Sequence, residues 1–235
     1  MKRLHQRVRK RWQEIDWDGW WGDSVDVRFE LIGMLGEYHS KRVLDVGCGP
    51  GVHLSELDGS NLRVGIDDTV DRLRTARGLC ANGAFVQGDM FHLPFLEGSF
   101  DVVVLAGVLE LVEEKQEFLR QVLKLCRPEH RILATTPNGW NWIYRGHPRL
   151  IDLQEVERSF SVCDQVAILG YNPLPPWPLF VPWRFPPRWR RFLSVPSPLL
   201  ARMPGMTRLL RVLMRRGFLR DRCKAFLITA EPGAR

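Results

Sequence analysis

The chain of 235 residues lacks any uncharged apolar run of about eighteen residues, which excludes a segment able to cross a bilayer as a helix. The basic start MKRLHQRVRKRW is not followed by the apolar stretch of a secretory leader, so the expected compartment is the cytoplasm. The five cysteines, Cys48, Cys80, Cys126, Cys163 and Cys223, never fall at C-x-x-C spacing, which argues against a disulfide framework and a zinc site; no metal is expected. No internal repeat appears. Acid is missing from two places. Residues 1–11 carry six Lys or Arg and no acid, and residues 171–222 carry eleven Arg and one acid, Asp221. The remainder holds 17 basic and 26 acidic residues, so the net charge of +7 divides into a body of −9 and two basic appendages. At 45% hydrophobic and 26% charged, the chain is too apolar for disorder and long enough to bury a full core.

From about residue 41 to 169, short β-rich runs alternate with helical patterns. KRVLDVG, LRVGID, GAFVQGD, FDVVVLAG, HRILATT and VCDQVAILG read as strands. VDRLRTARGLC and EEKQEFLRQVLKLC carry apolar residues at i, i+3, i+4 and i+7, the helical period. SVDVRFELIGMLGEY precedes the first strand as a further helix, with Ser24 as its N-cap. Strand alternating with helix predicts an α/β fold, a mostly parallel sheet with helices on both faces. After Tyr171 the pattern breaks: ten of the 16 prolines lie between Pro173 and Pro204, which excludes continuous helix and central strand there. Met206–Arg220 can again be helical, and CKAFLITA reads as a last strand. The expected organisation is a basic and aromatic N-terminal segment (1–23), a domain formed by 24–170 with 222–235, and a Pro/Trp/Arg-rich insertion (171–221).

VLDVGCGPG, Val43 to Gly51, closes the first strand and leads into a helix. Gly47, Gly49 and Gly51 allow a sharp turn and close approach of a ligand. Asp45 stands two residues before the first glycine and Asp67 ends the second strand, where an acid can accept hydrogen bonds from ribose hydroxyls. The spacing is G-x-G-x-G rather than the G-x-G-x-x-G of dinucleotide sites, and Asp45 would repel a pyrophosphate. A cation bearing a ribose fits better than NAD or FAD; S-adenosylmethionine is such a molecule.

At these residues the sequence resembles the class I S-adenosylmethionine-dependent methyltransferases. VLDVGCGPG, VGIDDT, VQGDMFHLPF and FDVVVLAGVLELVE look like four of that family's motifs, in their order. The resemblance covers residues 24–170 and the last strand. It implies a Rossmann-like sheet of seven strands, mostly parallel with an antiparallel last strand, and S-adenosylmethionine as cofactor. It further implies that Asp45 and the turn Gly47, Cys48, Gly49 and Gly51 hold the methionine moiety, Asp67 with Asp68 the ribose, and Asp89 with Met90 the adenine. Leu105, Ala106 and the residues to Val108 would line the sulfonium and the acceptor side. Asp101, at a strand start, faces the other end of the sheet and reads as structural.

No general base is compelled. The candidates are His147, Glu110 and His53, with His92 behind them. LAGV stands where amino-group methyltransferases of nucleic acids and glutamine carry an N-P-P-Y-like tetrapeptide, which lowers the case for base N-methylation. Trp17, Trp20, Trp21, Trp140, Trp142 and Tyr144 suit a planar or apolar acceptor, or simple packing. In the insertion, Trp177, Trp183 and Trp189 alternate with arginines, and Arg208, Arg211 and Arg215 share one face of the last helix. That combination suits an anionic membrane surface, with single-stranded RNA, a protein partner and packing on its own domain as alternatives. The expected function is methylation of a small-molecule or lipid-like acceptor by a cytoplasmic enzyme, peripheral at the inner membrane face. An RNA or protein methyltransferase and a non-catalytic cofactor-binding regulatory partner stay open. The sequence does not fix the acceptor, the methylated atom or the oligomeric state.

Overall fold

The computed structural model describes residues 25–138, 151–173 and 223–233. Helix α1 (Val25–Leu35) precedes strand β1 (Arg42–Val46), followed by α2 (Val52–Ser55), β2 (Leu62–Asp67), α3 (Val70–Leu79), β3 (Ala84–Gln87) and β4 (Phe100–Ala106). A 3-10 turn (Leu109–Leu111) leads into α4 (Lys115–Leu125), β5 (Cys126–Pro137), α5 (Leu153–Ser159), β6 (Gln165–Pro173) and β7 (Cys223–Glu231).

The strands form one sheet in the order β3-β2-β1-β4-β5-β7-β6. β1 pairs in parallel with β2 and β4, and β5 continues the parallel ladder from β4. β7 runs antiparallel between β5 and β6. This is the seven-stranded, mostly parallel architecture expected from the sequence. Strand order reverses between β1 and β4, so the carboxyl ends of these two strands border the crevice in which open α/β sheets bind ligands.

Both faces of the sheet are covered, which is why its strands read as near-continuous apolar runs. Alternation splits β1 between two cores. Leu44 and Val46 pack with α4, α5 and Phe160 on one face, while Val43 packs with Leu31 and Leu35 of α1, Leu54 of α2 and Leu73 and Ala76 of α3 on the other. Asp45 therefore points from β1 toward the α1–α2–α3 layer. In α4, Phe118, Leu119, Val122 and Leu125 form a buried stripe at helical spacing, which ties that helix to the sheet. Each such Leu or Val withdrawn from water contributes roughly 1.5–3 kcal/mol.

Element boundaries shift from the expected ones for local reasons. β5 begins at Cys126 rather than His130, because Cys126 pairs with Phe100 before a register shift resumes the ladder at Val102↔Arg131. β6 begins at Gln165 rather than Val162, because Phe160–Val162 form a 3-10 turn that buries Phe160. Asp101 sits at the amino edge, accepting from the Arg42 amide at 2.8 Å and from Arg127 Nη1 at 3.2 Å, a structural role. The expectations for residues 1–24, for Trp140, Trp142, Tyr144 and His147, and for residues 174–222 lie outside the described residues.

One register pair has consequences for that last segment. Pro173 of β6 pairs with Cys223 of β7, so residues 174–222 leave and re-enter the sheet at adjacent backbone positions. The junction lies on the carboxyl edge, the edge that carries the glycine turn. Asn138, fully buried at the end of β5, donates from Nδ2 to the Cys223 carbonyl at 2.9 Å and fastens this corner.

Candidate active site

The glycine turn follows β1 directly. Gly47, Gly49 and Gly51 all hold positive φ, 66°, 51° and 75°, a region that favours glycine. Their surroundings differ. A Cβ at Gly51 would lie 2.8 Å from the Ala76 Cβ of α3, and one at Gly47 would lie 2.9 Å from the Val108 Cγ2 beyond β4. A Cβ at Gly49 would meet nothing within 4 Å. Two glycines thus serve close packing, and the middle one faces open space.

Asp67, 6% exposed at the end of β2, is built into this turn. Its Oδ2 accepts from the Gly49 amide at 2.8 Å and its Oδ1 from the Thr69 amide at 2.9 Å. The carboxylate sets the orientation of the open glycine. Asp68 beside it is exposed and accepts from the Thr69 hydroxyl at 2.8 Å. The Cys48 thiol is packed inward: it is buried, with its Sγ 2.7 Å from where a Gly65 Cβ would stand. Burial, and then the charges of Asp45 and Asp67, push its thiol far above the usual range, so it stays protonated. Both acids therefore act on the same small volume.

Asp45 is 1% exposed, with Oδ2 3.3 Å from His53 Nδ1. Its Oδ1 is buried and has no hydrogen-bond partner among the described residues. A buried carboxylate oxygen left this way is costly, about 1–3 kcal/mol or more, and is a mark of a site that receives a donor. His53, from the first turn of α2, is 9% exposed and turned toward Asp45.

On the β3 side, Asp89 shapes a loop. Its Oδ1 accepts from the Phe91 amide at 2.9 Å and its Oδ2 lies 2.8 Å from His92 Nδ1; these two contacts hold its carboxyl below the usual range. Met90 packs its side chain against the core below. On the β4 side, the Leu105 side chain is fully buried on the α4 face, so it is the backbone of Leu105 that reaches the edge, and Ala106 is half-buried on the opposite face. Gly107 follows with φ 71° and donates its amide to the Thr135 carbonyl at 2.9 Å. Glu110, 2% exposed, accepts from the Thr136 hydroxyl at 3.2 Å. The structure thus brings Asp45, His53, the glycines, Asp67 and Val108 together, and sets Asp89 on the loop after β3 and Glu110 in the 3-10 turn after β4.

Two features escape sequence reasoning. The Glu110–Thr136 contact joins residues 26 apart on different elements. The seat for Cys48 depends on Gly65 inside β2, which the strand-interior glycine could have signalled.

Residues 38–167 match the family described as methyltransferase domain. Over 118 residues the chain is 33% identical to the ubiquinone/menaquinone biosynthesis C-methyltransferase of Azotobacter vinelandii, 44% of this chain and 45% of that protein. It is 32% identical over 137 residues to norajmaline N-methyltransferase of Rauvolfia serpentina, 54% of this chain and 46% of that one. The chain spans under half the length of these curated relatives. Among solved structures, a SAM dependent methyltransferase from Archaeoglobus fulgidus superposes with a TM-score of 0.55 at 16% identity, covering 89% of this chain and 93% of that one. One from Aquifex aeolicus gives 0.52 at 18%, covering 61% and 82%. These likenesses show the shared fold. The family match runs from the loop before β1 into β6, more than half of the chain, and on that footing the protein belongs to the class I S-adenosylmethionine-dependent methyltransferases.

Proposed function

We propose that the protein transfers the methyl group of S-adenosylmethionine to a small-molecule or lipid-like acceptor, as a cytoplasmic enzyme held peripherally at a membrane surface. The observation that carries the cofactor reading is the buried Asp45 Oδ1 without a partner among the described residues, on the strand that leads into a turn whose Gly49 faces open space. Two buried acids on neighbouring strands at the glycine turn, Asp45 and Asp67, favour a cation and disfavour phosphate, and the α-ammonium of S-adenosylmethionine is such a cation. The donor set fits the cofactor.

When bound, the cofactor supplies an electrophilic methyl group, so the protein has to hold, orient and exclude water. Asp45 would take the ammonium group. Gly49 would allow the backbone to approach it, and Asp67, already fixing the Gly49 amide, would offer its remaining lone pairs to the ribose. Asp68, Asp89 and Met90 would border the ribose and adenine, and Leu105 to Val108 the acceptor side. For an acceptor that gives up a proton, Glu110 and His147 are the candidate bases; Glu110 is the buried carboxylate just beyond β4.

The names of the two curated relatives, a quinone-biosynthesis C-methyltransferase and an alkaloid N-methyltransferase, support a small acceptor. The membrane reading is supported by eleven Arg against one acid in residues 171–222 and by the junction of that segment at Pro173 and Cys223, on the cofactor edge. Each basic side chain near an anionic surface contributes about 1 kcal/mol. The test is incubation with methyl-labelled cofactor and fractionated lysate from the protein's own source. Label in lipid or small molecules is expected. Label in RNA or protein would transfer the assignment to those acceptors.

A further inference from the structure

We propose that His53 is a positioning residue for the cofactor: it grips one oxygen of Asp45 so that the other is presented to the ammonium group of the methionine moiety. The inference rests on the cofactor reading above and goes beyond it by giving a role to a histidine that does not touch the ligand's reacting atoms.

Strand alternation sends Asp45 into the layer covered by α2, and the chain reverses through Gly47–Gly51 so that His53 arrives above it. The Gly51 amide bonds back to the Cys48 carbonyl at 2.9 Å and the Ser55 amide to the Gly51 carbonyl at 3.0 Å, which fixes the first turn of α2 and with it the histidine backbone. His53 Nδ1 then stands 3.3 Å from Asp45 Oδ2, both groups largely removed from water. In the tautomer that carries its hydrogen on Nδ1, the imidazole donates to this oxygen.

A lone buried carboxylate can rotate about its Cβ–Cγ bond and has two equivalent oxygens. With Oδ2 engaged by His53, rotation stops and the two become different: one is held within the protein, and Oδ1 has no hydrogen-bond partner among the described residues. Pre-orientation of this kind removes an ordering cost from ligand binding, the way second contacts on a metal ligand or a catalytic base improve the group they hold. The same burial that makes Oδ1 costly to leave bare makes a correctly aimed ammonium group worth more there than in water.

The inference separates two ligands. S-adenosylhomocysteine carries the α-ammonium group; 5′-methylthioadenosine keeps the nucleoside and the sulfur but lacks it. Calorimetric titration of the full chain and of His53→Leu with both is the experiment. His53→Leu should bind S-adenosylhomocysteine about tenfold more weakly, with 5′-methylthioadenosine affinity unchanged within about twofold. His53→Asn, whose amide nitrogen takes the place of Nδ1, should restore most of the S-adenosylhomocysteine affinity. If His53→Leu does not fold, His53→Gln takes its place, because its amide sits at the Nε2 end of the ring rather than at Nδ1. Equal weakening of both ligands would make His53 merely structural and overturn the inference, as would unchanged affinity for S-adenosylhomocysteine. If the unsubstituted protein itself fails to bind S-adenosylhomocysteine, the cofactor reading falls and takes this inference with it.

Discussion

Three glycines with the same backbone sign do different work, and substitution should separate them. At Gly51 an added methyl group meets Ala76 at 2.8 Å in a left-handed backbone, so Gly51→Ala should lose about 2–4 kcal/mol of stability from backbone strain and overpacking together. At Gly49 the space is open, so Gly49→Ala should lose only the backbone part, about 1–2 kcal/mol, while occupying the face that receives the ligand. Urea denaturation measures the first difference and cofactor titration the second; a larger stability loss at Gly49 than at Gly51 would contradict the assignment. Asp67→Ala should reduce S-adenosylhomocysteine binding by roughly 1.5–3 kcal/mol and also loosen the turn, since Asp67 holds two backbone amides. The turn and its acids were legible in VLDVGCGPG and VGID because glycine spacing and a strand-end carboxylate are local signals. The internal attachment of Asp67 to Gly49 was not, because it joins neighbouring strands through a backbone donor that sequence does not mark.

Among the described residues, α3 and α4 form where helical periodicity places them, each with apolar residues buried. The stripe Phe118, Leu119, Val122 and Leu125 seats α4, and Leu119→Ala should cost about 2–5 kcal/mol by leaving a cavity against the sheet. Boundaries were less legible where an apolar residue serves a turn: Val162 reads as strand but belongs to the 3-10 turn that buries Phe160. The cysteines follow their elements: Cys48, Cys80 and Cys223 are buried, and Cys126 and Cys163 half-buried. Burial, and then the neighbouring Cys163, raise the Cys126 thiol to about 12; burial, and then Asp164, raise Cys163 to about 11. Unfolded thiols ionise near about 8.5. The folded state holds these protons more tightly, so their contribution to stability is intact below about pH 8.5 and is lost as pH rises through the folded values. The urea midpoint should therefore decline above about pH 9, and iodoacetamide at pH 8 should label the buried Cys48 only after unfolding, and the half-buried Cys126 and Cys163 more slowly than unfolded thiols. Rapid labelling of native Cys48 would contradict its burial.

For the whole molecule, one of the two basic segments acquires an attachment point. The basic segment joins the sheet at Pro173 and Cys223, which are paired neighbours, so replacing residues 174–222 with a short turn should leave the sheet and cofactor binding in place. Loss of folding would show that the segment belongs to the core. The full chain should co-sediment with anionic liposomes in dilute buffer and be released by salt, and the shortened chain should not. The central claim is that the acids around the glycine turn hold the methyl donor. Its most direct test is titration of the full chain and of Asp45→Asn, a near-isosteric change, with S-adenosylhomocysteine. Saturable one-to-one binding that weakens about tenfold or more in Asp45→Asn is the predicted result, and equal affinity of the two proteins would contradict it.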